Sequence, residues 1–219
     1  RHLRQPKVSI IILARDVMAL LDRCLRRLLD KTAYPDYEDL VVDCGSEVDD
    51  TIDLYSELEV RHPDRFRVIA AQGPFSISAY RNQGARQARG EVLIFLTGSA
   101  LTIQAEWIDR LLNHALRSDV GLVGARLTTP DKTLPFIHGT AQILGMCGIA
   151  GPLFTGLPLR APGPLGRAQV DQTVSAVSAE CMAIRREVFE AVNGFDEAFT
   201  IAHADIDLCL RTAMQGYRT

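Results

Sequence analysis

Short apolar strands alternate with amphipathic helices along this sequence of 219 residues, and that order restricts its fold more than any other feature. Residues 8–13 and 39–43 are β-branched, apolar runs that suit strands buried on both faces. Between them, residues 20–29 repeat leucine and cysteine at helical spacing, with charged residues on the opposite face. Such alternation indicates βαβ crossovers. The sequence therefore predicts an α/β fold with a mainly parallel central sheet flanked by helices.

The same rhythm continues towards the C-terminus. Further strands are predicted at residues 67–71, 92–96, 121–125 and 173–184, and helices at residues 49–59, 107–116 and 187–192. Ser76 is predicted to cap a helix that runs to Arg89. Residues 139–166, rich in Gly and Pro, are predicted to form a long irregular loop.

We predict one domain over residues 1–219, in which residues 1–100 bind a nucleotide sugar and residues 101–219 face the acceptor. Both ends of the sequence look cut, so we expect the domain to be a fragment of a longer protein.

Composition removes several classes of partner. With 23% charged residues and a formal net charge of −3, no long-range attraction to nucleic acid is expected. No apolar run approaches the length of a membrane span, so membrane association is expected only through regions outside this fragment. The five cysteines form no CxxC pair, which favours neither zinc nor disulfides and indicates a cytoplasmic location.

Parallel sheets bind ligands at the carboxyl ends of their strands, where Asp43 follows a buried strand and precedes Gly45 and Ser46. Its carboxylate can accept hydrogen bonds from a base or a ribose. The alternative is an ordinary turn in which Asp43 caps the next element. The sequence lacks both G-x-G-x-x-G and a P-loop, which argues against NAD enzymes and NTPases.

Two further segments carry charge near this edge. Arg81 lies early on a helix, where its guanidinium can grip a base or phosphate; the alternative is a solvent-facing basic helix. Gly84 within the same helix indicates close packing. Asp205 and Asp207 begin the last helix, where the helix dipole alone favours carboxylates, or where one of them can remove a proton from an acceptor hydroxyl.

In order and spacing, these segments resemble glycosyltransferase family 2, whose members have the GT-A fold. The matching stretches, within a resemblance that covers residues 8–218, are residues 8–12, 41–46, 82–90, 120–125, 194–197 and 205–211. The resemblance implies transfer of a sugar, with inversion, from a nucleotide-diphospho-sugar donor to a glycan or lipid-linked acceptor, in cell-surface polysaccharide biosynthesis.

The resemblance also implies roles for individual residues. Asp205 matches the catalytic base, while Asp207 supports packing or orientation of the helix. The residues expected to bind the nucleotide sugar are Ala14, Asp43, Ser46, Arg81, Thr97 and Ser99.

The sequence departs from the family at the mouth of the donor pocket. Thr97-Gly98-Ser99 stands where the family places the carboxylates that hold Mn²⁺ or Mg²⁺, and a hydroxyl is a poor ligand for such cations. Leu13-Ala14 replaces a Pro-Thr pair, Glu47-Val48 replaces Thr-Asp, and Ala204 precedes the base instead of Glu or Asn. Arg81 can replace the positive charge of the cation. Asp49, Asp50 or Glu180 can instead supply a carboxylate. The family usually has a small residue at position 180, and the alternative for Glu180 is a partly exposed charge at a strand end.

Three hypotheses follow. The first is an active inverting glycosyltransferase, and the second is an inactive relative that binds a nucleotide sugar, a glycan or a protein partner. The third, a sugar nucleotidyltransferase, requires a Gly-rich phosphate loop that residues 13–17 do not offer.

Overall fold

A computed structural model describes residues 5–16, 18–129, 137–138, 141–146 and 149–219. The helices are α1 (Met18–Lys31), α2 (Asp49–Arg61), α3 (Ile77–Gln87), α4 (Trp107–Ala115), α5 (Arg186–Ala191) and α6 (Ala204–Met214). The strands are β1 (Val8–Ala14), β2 (Tyr37–Asp43), β3 (Phe66–Ala70), β4 (Val92–Thr97), β5 (Leu122–Gly124), β6 (Ala141–Met146), β7 (Ile149–Pro152), β8 (Ala176–Val177) and β9 (Cys181–Arg185).

The central sheet has the strand order β3-β2-β1-β4-β9-β5. Strands β1 to β4 pair in parallel, whereas β9 runs antiparallel to both β4 and β5. Helices cover both faces, as an apolar parallel sheet requires. The α/β fold with a mainly parallel central sheet is therefore confirmed.

The side chains of β1 show how one strand serves two cores. Ile10 and Ile12 join the hydrophobic cluster that includes α1, α2 and α4, whereas Ile11 joins the cluster with α3, α5 and α6 on the opposite face. This alternation follows from the two-residue period of a strand. It explains why the run is apolar except at Ser9, whose hydroxyl donates a hydrogen bond to Glu38 Oε1 at 2.6 Å.

Helix α3 approaches the sheet closely at Gly84. A Cβ atom added at this glycine would lie 2.6 Å from Ile11 Cγ2 and 3.0 Å from Val42 Cγ2. The predicted close packing is therefore confirmed. At the start of the helix, Ser76 Oγ accepts a hydrogen bond from the Ala79 N–H at 3.2 Å, as the predicted cap requires.

Two predictions for the C-terminal half are wrong. Within the stretch predicted to be irregular, β6 and β7 pair antiparallel, and β8 joins them in a second sheet of order β7-β6-β8. The strand predicted over residues 173–184 is two strands, β8 and β9, separated by a turn at residues 178–180. Glycine and proline, which are typical of loops, obscure the local pairing of β6 with β7, and the second partner of β6 is distant in sequence, since Gln142 pairs with Ala176.

Among the residues that the structure describes, no helix combines the length and apolar character needed to cross a bilayer. Of the cysteines, Cys24, Cys181 and Cys209 are buried free thiols and Cys44 is half-buried. Cys147 lies outside the described residues.

Candidate functional site

Three predicted binding residues lie together at the carboxyl edge of the sheet. Ala14 is paired with Asp43 across β1 and β2, and Thr97 pairs with Leu13 across β1 and β4. The chain adds β2 and β3 on one side of β1 and β4 on the other, so the strand order reverses between β1 and β4. Open α/β sheets bind ligands at such a reversal.

Asp43 is held by the loop that follows it. Its carboxylate accepts hydrogen bonds from the Ser46 N–H at 3.1 Å, from the Ser46 hydroxyl, and from the Tyr55 hydroxyl at 3.3 Å. Burial and the Asp43 carboxylate both raise the pKa of Tyr55, so this hydroxyl remains a donor. The side chains of Asp43 and Ser46 are therefore fixed before a ligand arrives.

Asp16 ties the loop after β1 to the loop after β2. Its N–H donates to Ser46 Oγ at 3.2 Å, and its carboxylate accepts from the Glu47 N–H and the Val48 N–H, both at 3.0 Å. Asp16 adopts a left-handed φ of 43°. The carboxylate stands in front of α2, whose N-cap Val48 offers no side-chain acceptor, and the helix dipole favours a negative charge there. The predicted binding residues did not include Asp16, although it lies directly after β1.

The segment after β4 offers hydroxyl groups. Thr97 Oγ1 and Ser99 Oγ are 3.3 Å apart, and the Thr97 carbonyl accepts the Ala100 N–H at 3.0 Å to form a turn. Asp49 and Asp50 occupy the exposed first turn of α2. Within the described part of the chain, no three His, Cys, Asp or Glu side chains are grouped so that they could hold a metal ion. The residues at this strand end do not fit a divalent cation.

The turn at residues 178–180 brings the start of α6 to the end of β4. The Glu180 carbonyl accepts the Thr97 N–H at 3.0 Å, and the Ala179 N–H donates to Asp205 Oδ2 at 3.2 Å. Asp205 Oδ1 also accepts the Ile206 N–H at 3.0 Å. One turn thus joins the predicted base to the strand end that carries Thr97.

Arg81 lies beside the same turn. Burial lowers the pKa of its guanidinium, while the carboxylates of Asp205 and Glu180 act in the opposite direction. The guanidinium lies over the Phe195 ring, 5.3 Å from its centroid. Within the described residues it has no hydrogen-bonded acceptor, so its N–H groups are available to a ligand. Arg81 itself is therefore not solvent-facing, whereas Arg86 on the same helix is exposed, so the alternative of a solvent-facing basic helix holds for only part of α3.

Two other charged or polar groups near the site have structural partners. Asp207 forms an ion pair with Arg211 at 2.7 Å, and Arg211 donates to the Val192 and Gly194 carbonyls. Sequence reasoning missed Asn82, which exchanges hydrogen bonds of 2.9 Å with the Phe195 main chain and so holds the ring under Arg81. No sequence pattern indicates this role, because its partner Phe195 lies 113 residues further along the chain.

Comparison with known proteins agrees with this geometry. Residues 9–192 match the sequence model of the family described as Glycosyl transferase family 2. The chain is 36% identical over 213 residues to the uncharacterized protein y4gI of Sinorhizobium fredii (strain NBRC 101917 / NGR234), and 36% identical over 215 residues to the O-antigen biosynthesis protein RfbC of Myxococcus xanthus. Each match covers 97% of this chain but only 23% and 16%, respectively, of the relative's own length.

Two solved structures share the architecture. The mannosyltransferase PcManGT of Pyrobaculum calidifontis, in complex with GDP-Man and Mn²⁺, has a TM-score of 0.72 and 19% identity, covering 99% of this chain and 54% of that one. GalNAc-T7, with UDP, GalNAc and Mn²⁺, has a TM-score of 0.78 and 15% identity, covering 99% of this chain and 42% of that one. At these identities the likeness shows the fold alone, which is the predicted GT-A type.

Proposed function

Because the chain belongs to glycosyl transferase family 2, we propose that it transfers a sugar from a nucleotide-diphospho-sugar donor to an acceptor hydroxyl, with inversion and with Asp205 as the base. The observation that carries the proposal is the position of Asp205, which accepts a hydrogen bond from the turn that contacts the end of β4. A general base must lie within hydrogen-bond reach of the proton that it removes.

The proposed reaction uses two side chains, those of Asp205 and Arg81. Asp205 removes the proton of the acceptor hydroxyl, and the acceptor oxygen forms a bond to the anomeric carbon. On the opposite side of that carbon the bond to the diphosphate oxygen breaks, and the nucleoside diphosphate leaves with the electron pair. Arg81, which is largely buried and has no hydrogen-bonded acceptor among the described residues, stabilises the charge that develops on the leaving diphosphate.

The donor is proposed to bind along the strand ends, with Asp43 and Ser46 at the nucleotide and Ala14, Thr97 and Ser99 nearer the diphosphate. Main-chain groups contribute more than side chains at Asp43 and Ser46, since these side chains already bond to each other. Mn²⁺ or Mg²⁺ was expected from the resemblance, and both solved structures contain Mn²⁺. The hydroxyls of Thr97 and Ser99 do not fit this role, so no step is assigned to a metal.

The acceptor is proposed to be a glycan or a lipid-linked glycan of the cell surface, made on the cytoplasmic side. The name of the Myxococcus relative, an O-antigen biosynthesis protein, supports this class. We also propose that residues 1–100 bind the donor while residues 101–219, which include Asp205, face the acceptor.

The test compares Asp205→Asn with a matched control, Asp207→Asn, two residues away on the same helix. The asparagine at position 205 can still accept the Ala179 N–H but cannot take a proton, so we expect turnover to fall by about 10²–10⁴-fold with donor affinity unchanged. Asp207→Asn weakens the pair with Arg211 and leaves turnover near the wild-type value. Full activity in Asp205→Asn would reject this residue as the base.

A second candidate, an inactive relative that binds a nucleotide sugar, is favoured by one observation: hydroxyls occupy the strand end at Thr97 and Ser99. Thermal shift with UDP, GDP and TDP sugars, with and without Mn²⁺, separates the two candidates, because a ligand of the folded state raises its apparent stability. Binding together with turnover supports the enzyme. Binding without turnover for any acceptor supports the inactive relative.

A further inference from the structure

Glu180 lies where the transferred sugar of a donor would lie. The base must reach the acceptor hydroxyl, whose oxygen lies next to the anomeric carbon, and Asp205 accepts a hydrogen bond from Ala179, the residue before Glu180. The Glu180 carbonyl also accepts a hydrogen bond from the Thr97 N–H at the end of β4. A sugar between the diphosphate and the base therefore lies against the turn at residues 178–180.

The side chain of Glu180 is available on this side. The main chain of Glu180 makes the hydrogen bonds that hold the turn. Its N–H donates to Ser178 Oγ, and its carbonyl accepts the Thr97 N–H. The carboxylate is about half-exposed, with His138 Nε2 3.5 Å from its Oε1, and it acts on the charge of Arg81. Glu180 thus presents hydrogen-bond acceptors to the site without being needed to close it.

The charged groups around Glu180 are mainly negative. Asp205 and Glu180 contribute two carboxylates near one guanidinium, that of Arg81, and the imidazole of His138 is neutral unless protonated. Two carboxylates favour hydroxyl or ammonium donors, whereas a further carboxylate between them meets like charge in a partly dehydrated site.

We infer that Glu180 determines which sugar this site accepts: it accepts hydrogen bonds from hydroxyl or amino groups of the transferred sugar and excludes sugars that carry a carboxylate, such as hexuronic acids. The inference rests on the proposed glycosyltransferase function and adds a substrate class to it. Exclusion of a competitor by repulsion is a common source of specificity.

The experiment measures binding of matched neutral and acidic donors to the wild-type protein and to Glu180→Gln and Glu180→Ala. The probes are UDP-glucose with UDP-glucuronic acid, GDP-mannose with GDP-mannuronic acid, and free UDP and GDP. For the nucleotide that the wild type binds, we expect the neutral sugar to bind at least tenfold more tightly than the acidic one. In both variants we expect this ratio to fall below about threefold, with affinity for the free nucleotide unchanged.

The matched control is Glu190→Gln, which removes a carboxylate from the exposed face of α5, where it pairs with Arg186, and should keep the wild-type ratio. An unchanged ratio in both Glu180 variants would overturn the inference, as would a parallel loss of free-nucleotide affinity, which would place Glu180 at the nucleotide. Failure of the wild type to bind any UDP, GDP or TDP sugar in the thermal-shift screen would instead reject the proposed function itself. The unfolding temperature of each free variant shows whether it is folded.

Discussion

At the scale of single residues, Asp39 is the least expected group in the molecule. It lies in the middle of β2 and is fully buried, and neither carboxylate oxygen has a hydrogen-bond partner among the described residues. Burial raises its pKa well above the usual range, although Arg65 acts to lower it and Glu38 adds to the increase. The native state therefore retains this proton at pH values where the unfolded chain has lost it.

This difference gives Asp39 a defined effect on stability. Since the folded pKa is raised, the contribution is complete below the unfolded pKa of about 3.9 and is lost as pH rises through the folded value. We expect the unfolding free energy of Asp39→Asn to fall less with rising pH than that of the wild type. The difference between variant and wild type should therefore shift in favour of the variant by about 1–3 kcal/mol between pH 4 and pH 8. Urea unfolding of both proteins from pH 4 to pH 8 measures it. A constant difference across that range would contradict the assignment.

Asp16 makes a second prediction at this scale. Its carboxylate replaces the missing side-chain cap of α2, so Asp16→Ala should cost about 1 kcal/mol of stability. Asp16→Asn is the matched control, because asparagine accepts the same N–H groups and tolerates the left-handed backbone. Urea unfolding compares the two. Equal stability of Asp16→Ala and the wild type would show that the link between the loops carries no energy.

At the scale of elements, the approach of α3 to the sheet sets where Arg81 lies. In Gly84→Ala the new methyl group overlaps Ile11 Cγ2 on β1, so the helix must shift. Overpacking costs about 1–3 kcal/mol, against a gain of about 1 kcal/mol in helix propensity. We expect a net loss of up to about 2 kcal/mol and weaker donor binding.

The control for Gly84→Ala is Arg86→Ala, an exposed change on the same helix, which should alter stability by less than about 0.5 kcal/mol. Chemical denaturation and thermal shift with a bound nucleotide sugar measure both variants. An unaltered donor affinity in Gly84→Ala would show that the position of α3 does not affect donor binding.

Elements with local causes could be predicted from the sequence. Three features are indicated by residues that are close in sequence, and the structure confirms them. They are the apolar run of β1, the cap at Ser76 and the glycine at the contact between α3 and the sheet. The α3 helix ends at Gln87, two residues before the predicted Arg89. The pairing of β6 with β8 could not be predicted, because it joins segments more than thirty residues apart, whereas the local hairpin of β6 and β7 is obscured by glycine and proline, which are typical of loops.

At the scale of the whole molecule, the site depends on how β9 enters the sheet. The convergence of Ala14, Asp43 and Thr97 follows from parallel strands and could be predicted. The approach of Asp205 to Glu180 could not, because it requires β9 to run antiparallel beside β4, so that its first residues, not its last, meet the ligand edge. The roles of all these residues remain predictions.

The buried cysteines report on the cooperativity of the whole fold. Cys24 and Cys181 belong to the core on one face of the sheet and Cys209 to the core on the other, and burial raises the pKa of each to about 12. Because thiolates are the reactive form, we expect all three to resist thiol reagents in the native state. In increasing urea, mass spectrometry of the labelled peptides should show them reacting over the same range. Labelling of Cys209 well before Cys24 would indicate that the two faces unfold separately.

The turn between β8 and β9 has a consequence for how this domain can diversify. Main-chain atoms of Ala179 and Glu180 make the contacts that join Asp205 to β4, and these contacts do not depend on which side chain occupies position 180. Ala179 is buried, whereas the Glu180 side chain is 40% exposed and lies 3.5 Å from His138 Nε2. Substitutions at position 180 keep these main-chain contacts, which makes this position a natural starting point for libraries that seek new donor preferences on an unchanged scaffold.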